Sequence, residues 1–343
     1  MKKLSYAVLS IAFASTITMC TTKSPKGVDL ANLNDSVAPQ EDFYGYACGG
    51  WMKANPLKPE YSRFGTFDQL GENTREQVKS LVTSLDSKNA EKGSAAQQIG
   101  DLYALGMDSA RLNEEGANPI KKDIEIINNT KREDIIDLMA TMIGVDAFFG
   151  TGVDADMMNS NMNTMYWQQG GLGLGDRDYY LEDSENTNAI REAYKTFLKN
   201  ITGLVGYDSV AQQRVVDNVM KIETELAKAA MTREELRDPM ASYNPMAVED
   251  VCKQYPNVNL RRYFQKQGLD VDTVVIGQPK SLAAVDNILK NADIQALQDY
   301  LVAGYISSAA NFLSDDFINA NFELSKVISG VQQIQPSWKR ALS

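Results

Sequence analysis

The sequence predicts a mainly α-helical fold, a multi-helical lobe with a minor β-hairpin element. Three observations point to it. Apolar residues recur at i, i+3, i+4 and i+7 through most of the chain, and β-branched runs are few and short. A hydrophobic content of 43% against 23% charged residues, over 343 residues, is enough for a sizeable core.

In chain order, residues 1–19 read as an export signal peptide. Lys2 and Lys3 precede an apolar stretch that is too short and too rich in Ser and Thr for a transmembrane helix. Its end, Ile17-Thr18-Met19-Cys20, resembles a bacterial lipoprotein signal, with Met19 where a small residue is usual. That resemblance implies a lipid on Cys20 and an exported protein anchored to a membrane of the cell envelope. Residues 20–39, with Ser24-Pro25-Lys26-Gly27 and few large apolar side chains, have the composition of a tether. The body, 40–343, shows no second linker and no internal repeat. Export places Cys48 and Cys252 where a disulfide is permitted, and both a bond between them and two free thiols stay open.

Within the body, Val78, Leu81, Val82 and Leu85 share one face of a helix beginning near Leu70, and Ile99, Leu102 and Tyr103 repeat the spacing in the next segment. Thr130-Lys131-Arg132-Glu133 has capping-box spacing ahead of Ile135, Leu138, Met139 and Met142. Further helices are expected over 190–204, 210–230, 282–289 and 294–313, the last with Asp293 as its N-cap. Strand candidates are 148–153 and 162–168, paired as a hairpin around the polar stretch 154–161, and Thr273-Val274-Val275-Ile276.

Charge and composition exclude several function classes. Lys and Arg number 34 and Asp and Glu 45, a formal net charge of −11 without any compensating basic run, which opposes binding to nucleic acid. There are 0 His, so no Ser-His-Asp or Cys-His nucleophile, no imidazole base and no His-Glu-x-x-His zinc site exists in this chain. Ser-x-x-Lys and Gly-x-Ser-x-Gly are also missing. Gly170-Gly171-Leu172-Gly173-Leu174-Gly175 lacks the spacing and the following Lys of a phosphate loop and reads as a tight, closely packed turn. The acidic pairs Glu114-Glu115, Glu234-Glu235 and Asp315-Asp316 read as solvated surface, and Asp154-Ala155-Asp156 lacks the Gly and distal Glu of a calcium loop. The 14 Met residues are read as core filler.

A series of motifs extends the reading. Asp42-Phe43-Tyr44-Gly45-Tyr46-Ala47-Cys48-Gly49-Gly50-Trp51, Arg63-Phe64-Gly65-Thr66-Phe67-Asp68, Ile99-Gly100-Asp101-Leu102-Tyr103, Gln169-Gly170-Gly171-Leu172-Gly173-Leu174 with Asp176-Arg177-Asp178-Tyr179-Tyr180-Leu181, and Gln335-Pro336-Ser337-Trp338-Lys339-Arg340 follow one another along the chain. This ordered set resembles the N-terminal domain of neprilysin-family zinc metallopeptidases, a family that includes endothelin-converting enzyme and bacterial oligopeptidases. The resemblance spans the mature chain and about half of a family member.

The resemblance implies a helical lobe that closes over a thermolysin-like catalytic half and limits substrates to short peptides. The family's zinc ligands and substrate-backbone motif lie beyond the Trp-Lys block, so this chain is expected to be catalytically incomplete, with zinc only in a catalytic half supplied in cis or trans. By the same resemblance Arg63 binds the terminal carboxylate of a peptide, a role suited to its planar fork, and Phe67 and Asp68 are its pocket neighbours. Gly71 stands where neprilysin carries a second Arg. Vertebrate members pair the Cys at the position of Cys48 with one in the catalytic half, and many bacterial members have Asn there. The rival reading is a non-catalytic peptide-binding or interaction lipoprotein of the cell envelope.

Overall fold

The computed structural model describes residue 27 and residues 29–343 other than Asp86 and Asp146, so the expected signal segment and Cys20 lie outside the described residues. The chain forms two compact units. One comprises the described residues up to Lys58 together with Arg63–Gly65, the other Pro59–Ser62 with Thr66–Ser343.

The first unit holds a short 3-10 turn, Leu30–Asn32, and helix α1 (Phe43–Ala54). Asp42 caps α1 by accepting the Gly45 amide at 2.8 Å, which satisfies one of the helix's orphan donors. The Trp51 and Phe64 rings stack with centroids 6.1 Å apart. No residue of α1 is fully buried.

The second unit opens with α2 (Thr66–Ser84), α3 (Ala95–Met107), α4 (Ser109–Glu115), α5 (Asn118–Asn129) and α6 (Ile135–Thr141). A hairpin of β1 (Phe149–Asp156) and β2 (Asn159–Gln169) leads through the one-turn α7 (Asp178–Leu181) into two long helices, α8 (Glu185–Leu204) and α9 (Ser209–Ala229). Then come β3 (Asn244–Ala247), α10 (Val248–Gln254), α11 (Leu260–Lys266), β4 (Thr273–Ile276), α12 (Pro279–Asn291), α13 (Ile294–Ala309), α14 (Asp315–Ser329) and α15 (Ser337–Ala341). The mainly α fold with a minor β element is as expected, and every expected helix and strand is present.

The four strands lie in the order β1-β2-β4-β3. β1 and β2 are antiparallel, β4 runs parallel to β2 with Met165 opposite Val274 and Trp167 opposite Ile276, and β3 returns antiparallel to β4. β4 is apolar on both faces, as a strand between neighbours should be, with Val274, Val275 and Ile276 all fully buried.

The core is one cluster, and every buried apolar side chain in it falls between Ala117 and Leu324. Helix α13 crosses its centre, packed by α5, α8 and α9, and is apolar nearly all round. Its N-cap is Asp293, whose carboxylate accepts the Gln295 amide at 2.8 Å. In contrast, α2, α3 and α4 bury no residue. The apolar face expected of α2 exists, but Val78 and Leu81 on it remain 40% and 64% exposed.

Two local expectations are corrected. Thr130 does not cap the following helix: its hydroxyl donates back to the Ile126 carbonyl at 2.8 Å, closing α5, and a 3-10 turn Arg132–Asp134 enters α6 without a side-chain cap. The hairpin loop is also much tighter than 154–161. Asp156 accepts the Met158 and Asn159 amides at 2.8 and 3.2 Å, and the Tyr166 hydroxyl donates to the Ala155 carbonyl at 3.0 Å, so both strands run on to a turn at Met157 and Met158.

Candidate functional site

The three residues nominated as substrate contacts are divided between the units. Arg63, in the first, is exposed. Phe67 and Asp68 occupy the first turn of α2 in the second unit, Phe67 88% exposed and Asp68 half-buried. A carboxylate in a first turn is favoured by the unpaired amides there.

Within the second unit, the residues before and after Arg63 in sequence are gathered by the C-terminal segment. The Pro59 carbonyl accepts the Gln332 and Gln333 amides at 2.8 and 3.0 Å. The Lys339 ammonium, only 3% exposed, lies 2.6 Å from Glu72 Oε2 and 3.5 Å from Glu60 Oε1. It also faces the Tyr61 ring at 5.4 Å and the Trp338 ring at 5.7 Å. Glu72 further accepts from the Tyr61 hydroxyl and, at 3.1 Å, from Arg75. Burial alone would raise the Glu72 carboxyl, but Lys339, Tyr61 and Arg75 outweigh it and hold it at about 2. Burial would likewise lower Lys339, yet its hydrogen bond to Glu72 and the oxygens of Tyr61 and Glu72 raise it. Lys339, Arg75, Glu72 and Glu60 thus meet at α2.

A second polar cluster sits deep in the core. Glu223 of α9 is 3% exposed and accepts from Tyr180 at 2.8 Å, from Tyr194 at 2.9 Å and from the Gly173 amide at 3.2 Å. Burial raises its carboxyl to about 7 against the lowering effect of those three donors. The glycine-rich loop is wrapped onto this carboxylate. A Cβ on Gly173 would lie 2.0 Å from the Tyr194 hydroxyl, so only glycine fits there. The loop is therefore the tight, packed turn expected, with its amides turned inward to protein.

Neither Lys339 nor Glu223 was assigned a role from sequence. Lys339 stands inside a quoted motif but carries no periodic signal. Glu223 did leave one: it continues the apolar stripe of Val215, Val219, Ile222 and Leu226, where a carboxylate is out of place unless paired. Cys48 and Cys252 are both free and half-buried. Asp156 is occupied as a hairpin cap and accepts the Tyr243 hydroxyl at 2.9 Å. With no His in the chain and no group of three or more Cys, Asp or Glu arranged to hold a metal among the described residues, the side chains present do not fit a zinc site.

Residues 39–343 match the family model of peptidase family M13. Endothelin-converting enzyme 1 of Bos taurus is 27% identical over 98% of this chain and 47% of its own length. Neprilysin-11 of Caenorhabditis elegans is 26% identical over 90% of the chain and 39% of its own. Among solved structures, the zinc metalloprotease Zmp1 of Mycobacterium tuberculosis, in complex with an inhibitor, matches with a TM-score of 0.86 at 24% identity, covering 93% of this chain and 49% of that one. PepO from Lactobacillus rhamnosis matches at 0.77 with 18% identity, covering 89% and 49%. The two structures share the fold, and the chain spans about half the length of the relatives it matches.

Proposed function

The chain belongs to peptidase family M13, and from that membership we propose that it is the N-terminal, substrate-enclosing lobe of a zinc metalloendopeptidase acting on short peptides. In this reading the zinc and the hydrolytic groups come from a catalytic half joined in cis or in trans. The observation that carries it is the surface of α2, α3 and α15. These helices bury no apolar side chain, while Leu70, Val78, Leu81, Leu102 and Leu105 stand 40–71% exposed. Phe67, Leu70, Thr74, Val78 and Leu81 share one face of α2, a stripe that a soluble lobe has reason to keep only if something covers it.

Arg63 supplies the substrate contact in this proposal. Its guanidinium pairs both oxygens of a peptide's terminal carboxylate, and Phe67 and Asp68 are carried as further substrate contacts by the family resemblance alone. In an enzyme assembled from this chain and a catalytic half, Arg63→Ala should raise KM about 10- to 100-fold for short peptides with a free C-terminus, the worth of one charge-assisted pair. KM for the corresponding C-terminal amides should not move. An unchanged KM for the free-carboxylate peptide removes the assigned role.

Export and lipid anchoring at Cys20 belong to the same proposal and are supported by the N-terminal sequence alone. No helix among the described residues is long and apolar enough to cross a membrane.

A further inference from the structure

A cavity of about 380 Å³ opens in the second unit, where the turn between α8 and α9 passes the end of α5 and the start of α13. That volume falls within the range of small-molecule sites, about 300–1,000 Å³. Its lining is polar: Asn128 comes from α5, Tyr207 and Asp208 from the turn, Arg214 from α9 and Gln295 from α13.

These side chains are fixed by bonds within the same unit. Gly206, at φ 98°, ends α8 in the left-handed region, and the Gly206 and Tyr207 amides donate back to the Gly203 and Thr202 carbonyls at 2.9 and 3.1 Å. The Tyr207 carbonyl accepts Gln212 Nε2 at 2.7 Å, and its hydroxyl accepts Asn128 Nδ2 at 2.9 Å. Arg214 donates Nε and Nη2 to the buried Asp299 carboxylate at 2.9 and 3.1 Å, and Gln295 Nε2 reaches the same carboxylate at 3.1 Å. Asp208 Oδ1 caps α9 on the Ala211 amide at 2.8 Å.

Those bonds engage one part of each group and leave another. The Tyr207 proton and Arg214 Nη1 remain as donors, while Asn128 Oδ1, Gln295 Oε1 and Asp208 Oδ2 remain as acceptors. Burial raises the Tyr207 hydroxyl above its ordinary value, so the phenol stays a protonated donor. Asp299 offsets the charge of Arg214, and Asp208 adds a negative one, so the lining does not attract an anion. Donors and acceptors side by side, next to an aromatic ring, suit a molecule whose polar groups each give and accept a hydrogen bond and whose C–H edges pack on a ring face. We propose that this cavity is a binding site for a neutral sugar, a hexopyranoside seated on Tyr207. Because its protein groups are already held, little side-chain freedom is lost on binding.

The experiment titrates the whole chain with methyl glucopyranoside, methyl mannopyranoside and methyl galactopyranoside, read by saturation-transfer NMR. At least one should bind saturably with a Kd of about 1–10 mM, the affinity expected of a ligand this small. Tyr207→Phe keeps the ring, loses the donor and should weaken that sugar about 3- to 10-fold. Asp208→Ser keeps the helix cap, removes the free carboxylate oxygen and should weaken it by a similar factor. Ala211→Phe fills the cavity and should abolish binding, with the urea midpoint of each variant showing that it is folded. Should Ala211→Phe fail to fold, the two milder variants still decide. Three results would overturn the proposal: no saturable binding of any of the three sugars up to about 50 mM; binding unchanged in both Tyr207→Phe and Asp208→Ser, which would put the site elsewhere; or about tenfold tighter binding of the sugar's phosphate ester, which would make this an anion site.

Discussion

Arg214→Met destabilises the protein by about 3–5 kcal/mol, the cost of stranding a buried carboxylate without its counter-charge. Asp299 of α13 is completely buried and receives Arg214 Nε at 2.9 Å and Nη2 at 3.1 Å, a bidentate fork, along with Asn218 at 2.7 Å and Gln295 at 3.1 Å. Arg214 and Asn218 come from α9, so the carboxylate joins the two helices at the centre of the core. The reverse change, Asp299→Asn, is milder at about 1–2 kcal/mol, because Arg214 is 43% exposed and turns to water when its partner is gone. The difference appears as unequal shifts of the urea midpoint at constant slope. Equal losses from the two substitutions would mean that the carboxylate is not desolvated as the structure describes.

Glu223 gives the protein a stability that falls as pH rises toward neutral. Its folded carboxyl is raised from 4.5 to about 7 by burial. Below 4.5 it is neutral whether the chain is folded or not, so the contribution is complete. Between 4.5 and 7 the unfolded chain ionises while the folded one does not, and the stability drains away, by about 3 kcal/mol once pH passes 7. The charged and titratable neighbours agree with that sign: Tyr180, Tyr194 and Tyr300 surround the carboxyl, and no cation is among the groups that shift it. Glu223→Gln keeps a carbonyl acceptor for Tyr194 and Gly173 and should abolish the slope between pH 5 and 8. Glu72 acts in a separate window. Held at about 2, it contributes above 4.5 and loses its contribution as pH falls toward 2, so the Gln variant should leave acid unfolding unchanged. Parallel pH profiles for parent and variant would contradict the burial of Glu223.

Much of the fold was legible because it is written in local spacing. Ile190, Tyr194, Phe197, Leu198 and Ile201 recur at the helical period and are buried together on α8, and Asp293 announces α13 by a capping preference that acts within two residues. Thr130 shows the limit of such signals. Its hydroxyl has two backbone targets within reach, and tertiary packing chose the one behind it. The α2 stripe shows another limit: periodicity says that a face seeks cover, but not whether the cover lies within the same chain.

The candidate site was legible only through resemblance. Arg63, Phe67 and Asp68 are close in sequence yet belong to different compact units. Within the second unit, the contact between Lys339 and Glu72 joins residues 267 positions apart, and no spacing rule reaches that far. Charge balance within the buried cluster becomes visible only once the C-terminal segment is seen to lie against α2 and residues 59–61.

Backbone amide exchange of this chain, alone and mixed with a C-terminal half that carries the family's His-Glu-x-x-His zinc site, measures most directly whether it is a lobe awaiting a catalytic partner. Amides of α2, α3 and α15, which bury no apolar side chain, should exchange quickly in the isolated chain and slow at least tenfold in the mixture, the mark of a free-energy gain of about 1.4 kcal/mol or more. Those of α8, α9 and α13 should be protected in both. Fast exchange of α2 and α3 that persists with the catalytic half present, or full protection without it, would contradict the account.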